Sequence, residues 1–412
     1  MPEESLVSSI LDLAQRAAEQ IPGGSGASLK TDLLTLKELL MDARPPKLMI
    51  VGRRGAGKSS LVNAICGERL AAVGAVLSET GRPTWYSYRS PRGEMRILDT
   101  RGLGDRTRPE AANFQSAIEE IKAALKSDFP DAILFLCKAK EVDSLIAHDV
   151  ANVQEIRAFL RREHGYDAPV VAIVTQVDEL DPKRVEPPYD DETKKRNIDT
   201  AVAAVAAALQ EAGIETARVV PVSAYAEYKD DKRTYDNYWN IDTLVEYLLE
   251  ALPQSAQVQL ARLSRLRGAQ RRMARKLIGA ASAVTAGIAA VPIPIADILP
   301  ITATQIGLIT GIAYLSGRDL SAKSAREFLV ALGVNLGGAF ALREAARALI
   351  KFVFPGGGSA VSAGVAFAGT WAIGEAASAY FIDKAPIEEA KAVFRKKRQE
   401  KAEEAGRDAG GG

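Results

Sequence analysis

Gly52-Arg53-Arg54-Gly55-Ala56-Gly57-Lys58-Ser59 fits the spacing G-x-x-x-x-G-K-[ST], and its residue types suit the binding of a phosphate chain. Glycines at 52, 55 and 57, with small Ala56 between them, let backbone N–H groups wrap phosphate oxygens. The Lys58 amine is long enough to reach the β- and γ-phosphates, and the Ser59 hydroxyl suits a Mg²⁺ ligand. Ser60 opens a helical pattern directly after the loop, so the positive end of a helix faces the anion. The bland alternative is a glycine-rich turn with no ligand, but the strand–loop–helix context argues against it.

Three further segments each follow an apolar run. Asp99-Thr100-Arg101-Gly102 follows residues 95–98. An Asp at a strand end can hold the water shell of Mg²⁺, and the Gly102 amide can bond a γ-phosphate. Thr175-Gln176-Val177-Asp178 follows residues 170–174. The Asp178 carboxylate can accept both N1–H and N2–H₂ of guanine, a donor pair that adenine lacks, so adenine would leave the carboxylate unpaired. Ser223-Ala224 follows residues 218–222. Its backbone amides are expected to meet the guanine O6, although a Ser after a strand is ordinarily a helix cap.

In order and spacing these motifs resemble the five-motif set of P-loop GTPases of the translation-factor-related class, over residues 47–252. The resemblance implies binding of GTP and GDP and Mg²⁺-dependent hydrolysis. It casts Lys58 and Ser59 as phosphate and metal ligands, Asp99 and Gly102 as reporters of the γ-phosphate, Thr175, Gln176 and Asp178 as readers of guanine, and Ser223 and Ala224 as supports of the base. Gln176 stands where many relatives have Lys, which weakens aliphatic stacking beneath the base, and Thr175 replaces Asn. The Thr-x-Arg-Pro pattern at Thr80-Gly81-Arg82-Pro83 is similar to Era-like and dynamin-like GTPases, and favours Thr80 over Thr84 as the Mg²⁺-binding switch residue. Relatives that use K⁺ carry Asn at the position of Gly55, so no K⁺ activation is expected.

Leu103 occupies the position after D-x-x-G where many GTPases have a water-orienting Gln. Hydrolysis then needs another group. Arg53, Arg54 and Arg101 are the candidates for an arginine finger, in cis or across a homodimer at the nucleotide face, with Arg54 preferred. The bland alternative is that all three are solvated.

These groups need a framework. Apolar runs at 47–51, 95–98, 132–137, 170–175 and 218–222 alternate with helical patterns, which predicts an α/β fold with a doubly wound, mostly parallel sheet. The bland alternative for both threonines is that they simply start a strand over residues 85–89. Charged segments 181–198 and 228–240 read as exposed loops. Leu244, Leu248 and Leu252 give a closing helix. Before the sheet, residues 4–20 and 33–40 read as a helical pair joined by a linker at 22–26.

The C-terminal half is different. Residues 262–276 hold Arg262, Arg265, Arg267, Arg271, Arg272, Arg275 and Lys276, and two uncharged stretches follow at 277–296 and 298–317, split by Asp297. Each is near the length of about 20 residues that spans a bilayer as a helix. Pro292, Pro294, Asp297 and Pro300 suit the bend of a hairpin. A basic flank before it places the nucleotide-binding domain on the cytoplasmic face of a membrane. A water-soluble Ala/Gly-rich bundle is the alternative. More apolar sequence lies at 328–342 and 352–374, and 387–408 reads as a charged, solvated helix and tail. Residues 277–382 resemble a domain type of unknown function fused to Era-like GTPase domains in bacterial membrane proteins. The expected division is 1–45, 46–253, 254–276, 277–384 and 385–412.

Composition excludes several classes. The chain has 412 residues, 53 Lys+Arg against 52 Asp+Glu, and a formal charge of +1, so it is no polybasic nucleic-acid binder. With apolar residues at 47% and charged at 25%, it is a folded protein. Cys66 and Cys137 form neither a zinc motif nor a disulfide framework. Met-Pro-Glu-Glu opens the chain, and no signal peptide is expected. A transporter is disfavoured, because Asp297 is nearly the only polar group expected inside the apolar half. The leading expectation is a membrane-associated GTPase. The alternatives are a non-hydrolysing GTP-sensing module and an RNA or ribosome-assembly GTPase.

Overall fold

The computed structural model describes residues 24–70, 84–99, 117–142, 146–214, 218–230, 232–290, 298–333 and 363–410. Backbone contacts divide the chain into two compact units, residues 45–264 and residues 1–44 with 265–412.

The 45–264 unit holds a six-stranded sheet. In chain order its strands are β1 (Lys47–Gly52), β2 (Thr84–Ser90), β3 (Gly93–Asp99), β4 (Ala132–Lys138), β5 (Val170–Thr175) and β6 (Arg218–Pro221). Their order in space is β2-β3-β1-β4-β5-β6. Only β2 runs antiparallel, pairing Thr84 with Asp99 and Ser90 with Gly93. The strands at the centre of the sheet are apolar without interruption because both faces are covered. One face lays Met49, Val51, Ile133, Phe135, Ala172 and Val174 into a core with helices Ala117–Leu125, Ile146–His164 and Glu192–Glu211. Leu48, Ile50, Leu134, Leu136 and Ile173 alternate with them and are equally buried. Helices Lys58–Cys66, Ile241–Ala251 and Gln254–Ser264 pack with one another and against β3 and β6. All the parallel strands end at the same edge, where an open α/β sheet binds its ligand.

Two charged segments expected to be loops are so only in part: residues 181–191 are loop, but secondary structure occupies the rest of the first and most of the second. Residues 192–198 open the helix Glu192–Glu211, whose N-cap Asp191 accepts bonds from Thr193 N and Lys194 N. The high charge density there hides the helical period. Within 228–240 lies a hairpin of β7 (Ala226–Lys229) and β8 (Lys232–Asp236). Every residue of β8 is exposed, so its sequence shows no alternation.

The second unit is helical. We number its described helices α1 (Gly24–Leu40), α2 (Arg267–Ala289), α3 (Ile298–Leu315), α4 (Ala322–Leu332), α5 (Ala363–Phe381) and α6 (Ile387–Gly410). The expected linker at 22–26 is in part helix, because α1 starts at Gly24. The basic segment is split: Arg262 lies on helix Gln254–Ser264, Arg265 has φ of 56°, and residues 267–276 run on with most of the first apolar stretch as one helix, α2. Among the described residues, no helix is long and apolar enough to cross a membrane. The expected bend around Asp297 lies outside the described residues. Helices α2 and α3 pack together, and α5 packs on both.

This unit's interior is more polar than its sequence suggested. Thr285 and Thr370 hydroxyls lie 2.9 Å apart, and Gln305 Nε2 donates to Thr370 Oγ1 at 3.0 Å. Ser282, Thr302, Thr304 and Ser378 are also buried. Short hydroxyl side chains bond back to helical carbonyls, so they pass as apolar in a hydropathy reading. Helix α6 is more than a solvated tail: Ala390 and Phe394 are buried, and the Lys401 ammonium lies 4.8 Å from the Trp371 ring centroid.

Candidate nucleotide-binding site

At the C-terminal edge of the sheet, β1 runs into the loop that ends at the helix Lys58–Cys66. Gly55 and Gly57 have φ of 78° and 84°, which only glycine adopts without strain. Gly57 is the N-cap, and the first helical bond runs from Leu61 N to Gly57 O at 2.8 Å. The amides of the opening turn, 58–60, therefore point along the axis toward the loop. A side chain at Gly52 would come within 2.8 Å of Leu136 O, so the loop base packs directly on β4. Ala56 is buried; Ser59 and Ser60 are half-buried at the opening. Lys58 Nζ donates to Gly52 O at 3.1 Å, which folds the amine across the loop.

The two neighbouring arginines differ. Arg53 Nε is bonded to Asp149 Oδ2 at 2.7 Å, whereas Arg54 is exposed. Arg101 lies outside the described residues.

Residues 175 and 176 touch the loop that follows β1. Thr175, buried at the end of β5, donates from Oγ1 to Ala56 O at 3.0 Å and lies 3.3 Å from Cys137 O. Gln176, at φ 59°, donates from Nε2 to Gly55 O at 2.7 Å. Asp178 sits in the short helical turn Val177–Glu179 and is half-buried. Ser223 Oγ donates to Asp178 Oδ1 at 3.0 Å. Ser223 is not a helix cap. It pairs with Trp239, donating from N to Trp239 O at 3.2 Å and accepting from Trp239 N at 3.0 Å. Its amide is thus engaged, which corrects the expectation that the Ser223 amide meets the base; Ala224, half-buried, is next to it.

Asp99 ends β3 and pairs with Ile50 of β1 on one side and Thr84 of β2 on the other. Its backbone therefore lies beside the loop. Thr80, Gly102 and Leu103 lie outside the described residues.

The sequence reading passed over a buried group behind this turn. Lys194 has no exposed surface, and its Nζ donates to Asp178 O at 2.9 Å and Leu180 O at 2.5 Å. Burial holds its pKa below the usual lysine value, against the pull of Asp178 and Asp181. Buried Tyr189 lies beneath the ammonium and meets the Trp239 ring edge-on, and its phenol is pushed up to about 12 by burial. Burial also pushes the Cys137 thiol up to about 11, which removes it from thiolate chemistry.

Residues 47–176 match a family described as 50S ribosome-binding GTPase, and residues 254–404 match a domain of unknown function (DUF697). GTPase Der of Porphyromonas gingivalis is 32% identical over 134 residues, which is 32% of this chain and 28% of that protein. Translocase of chloroplast 34 of Pisum sativum is 32% identical over 119 residues, 28% of this chain and 34% of that protein. A tRNA modification GTPase MnmE from a Shewanella species is 32% identical over 105 residues, 25% of this chain and 22% of that protein. The matches therefore span about a third of these relatives or less. A crystal structure of Toc33 from Arabidopsis thaliana aligns with TM-score 0.35 and 18% identity, over 59% of this chain and 95% of that one. The chain thus joins a P-loop GTPase domain to a C-terminal DUF697 domain.

Proposed function

We propose that this protein binds GTP and hydrolyses it to GDP and phosphate, and that nucleotide state is passed to the helical unit. The observation that carries the reading is the pair of bonds from Thr175 and Gln176 to Ala56 and Gly55. They join a guanine-reading carboxylate and a phosphate loop into one rim. Asp178 would accept the two guanine N–H donors while the Ser223 hydroxyl donates to one further lone pair on Oδ1, and the Ala224 amide would meet O6. Lys58 would leave the Gly52 carbonyl for the phosphate oxygens. Water attacks the γ-phosphorus, the bond to the β–γ bridging oxygen breaks, and the proton leaves with inorganic phosphate.

The residues at the loop fit Mg²⁺. Ser59 would hold it, with Asp99 and Thr80 as further candidates, and the Gly102 amide would bond the γ-phosphate. When bound, the ion neutralises charge on the β- and γ-phosphates. Exposed Arg54 is the arginine proposed to reach a second copy across the nucleotide face, since Arg53 is tied to Asp149.

Transmission to the helical unit is supported by helix Gln254–Ser264. Arg262 Nη2 donates to Pro91 O and Arg92 Nη1 donates to Arg262 O, both at 3.4 Å. These bonds hold the β2–β3 turn, whose two strands lead to Thr84 and Asp99. A lipid surface is proposed as the outer partner, on the cytoplasmic side, given the arginines of α2 and the apolar Leu34, Val330 and Val365 exposed on this unit. RNA is the second candidate, favoured by the ribosome-binding description of the matched family and the MnmE likeness.

The test is phosphate release by the full chain at rising protein concentration, alone, with anionic vesicles and with RNA, with Lys58→Ala as the blank. Turnover that rises with concentration and falls in Arg54→Ala supports the full reading. Tight GTP binding without turnover leaves a sensing module. Absence of binding overturns it.

A further inference from the structure

Lys194 stands one turn into a helix whose first carbonyl contacts lie directly behind Asp178. Asp191 caps that helix by accepting from Thr193 N and Lys194 N, each at 2.9 Å, so the Lys194 backbone is fixed before its side chain is placed. The ammonium then bonds Asp178 O and Leu180 O and lies 4.9 Å from the Tyr189 ring centroid. Three residues further on, Asn197 Nδ2 donates to Asp181 O at 2.8 Å. One helix face thus meets the carbonyls of Asp178, Leu180 and Asp181. From the other side, Ser223 Oγ fixes the Asp178 carboxylate.

From this arrangement we infer that Lys194 is a positioning residue for guanine selectivity, setting the aim of the Asp178 carboxylate by holding the backbone of its turn. The inference rests on the guanine reading of Asp178.

The chemistry supports a role beyond packing. An ammonium taken out of water is costly, and an apolar side chain of similar length would fill the same space without that cost. What Met cannot supply is a pair of charge-assisted bonds to the carbonyls of the turn. A carboxylate must meet N1–H and N2–H₂ together, so a small rotation of the turn spares one bond and loses the other. Guanine differs from hypoxanthine only by the 2-amino group, and discrimination between them reports that aim directly.

The experiment measures Kd of the full chain for GDP, IDP and ADP in the wild type and in Lys194→Met, Lys194→Arg and Asn197→Ala, with a melting curve for each. In the wild type, GDP is expected to bind at least about 100-fold tighter than ADP. Lys194→Met is expected to lower the GDP-to-IDP preference about tenfold, the effect of losing one charged hydrogen bond, with IDP affinity changed much less. Lys194→Arg restores part of the preference. Asn197→Ala, which keeps the buried ammonium, lowers it about twofold, and serves if Lys194→Met does not fold. An unchanged GDP-to-IDP preference beside a shifted melting temperature means Lys194 only supports the fold, and overturns the inference alone. A wild type that does not prefer GDP over ADP overturns the guanine reading and the inference with it.

Discussion

The side-chain amide of Gln176 donates to the backbone carbonyl of Gly55 at 2.7 Å. One residue before the turn Val177–Glu179, a polar side chain thus ties down a loop glycine with φ of 78°. A lysine here would offer its methylenes to a base; the glutamine instead braces the loop. Gln176→Leu keeps the bulk and removes the donor. A neutral bond contributes about 0.5–1.5 kcal/mol, so GDP affinity should fall about two- to tenfold with little change in GDP-to-IDP preference. Competition binding with a fluorescent GDP checks this, and an unchanged affinity would show that the bond does not order the loop.

Asp178→Asn makes a sharper prediction. The amide presents one acceptor and one donor where the carboxylate presented two acceptors. It should lose GTP by about 100-fold or more and gain affinity for XTP, whose 2-oxo group accepts where guanine donates. Binding measured with both nucleotides decides it, and a variant that loses both equally would place Asp178 in the fold rather than on the base.

Much of the site could be read from residue order, and the reasons for the rest are physical. The run 170–175 coincides with β5 and 47–51 falls one residue short of β1, because buried parallel strands have no polar face to confuse the pattern. The phosphate-loop motif carries its own geometry, since Gly55 and Gly57 take positive φ. Lys194 was invisible because a lysine among Glu192, Lys195 and Arg196 reads as solvated, and only tertiary structure shows which of them is buried. The hydroxyl of Ser223 was missed for a similar reason: its acceptor is 45 positions away. In the helical unit, Ala/Gly/Thr-rich stretches suggested lipid-spanning segments; among the described residues no helix is long and apolar enough to cross a membrane, and Thr285, Gln305 and Thr370 join in a buried polar seam.

The clasp on the β2–β3 turn predicts a nucleotide-dependent change at the end of helix Gln254–Ser264. Arg265 and Arg267 just beyond it are exposed, and Arg265 has φ of 56°. Trypsin should cut there at rates that differ several-fold between GDP and a non-hydrolysable GTP analogue. Arg262→Met removes the bond to Pro91 and should make the two rates equal while nucleotide affinity is kept. Equal rates in the wild type would mean that the turn does not carry the signal.

Two glycines of the helical unit should respond to the same substitution with opposite signs. Gly279 in α2 has nothing within 4 Å of the position a Cβ would take, so Gly279→Ala brings only the better helix propensity. It should stabilise the unit by about 0.5–1 kcal/mol. At Gly374 in α5, a Cβ would lie 2.5 Å from Ile278 Cγ1 and 3.1 Å from Leu308 Cδ2. Ile278 and Leu308 are fully buried and cannot swing away, so the helices must separate. Overpacking of this kind costs about 1–3 kcal/mol, which exceeds the propensity gain. Gly374→Ala should therefore lower stability. Urea unfolding of a chain with Trp85 and Trp239 changed to Phe reports this unit through Trp371, one turn from Gly374. A Gly374→Ala variant as stable as Gly279→Ala would mean that α2, α3 and α5 do not approach as closely in solution as these distances require.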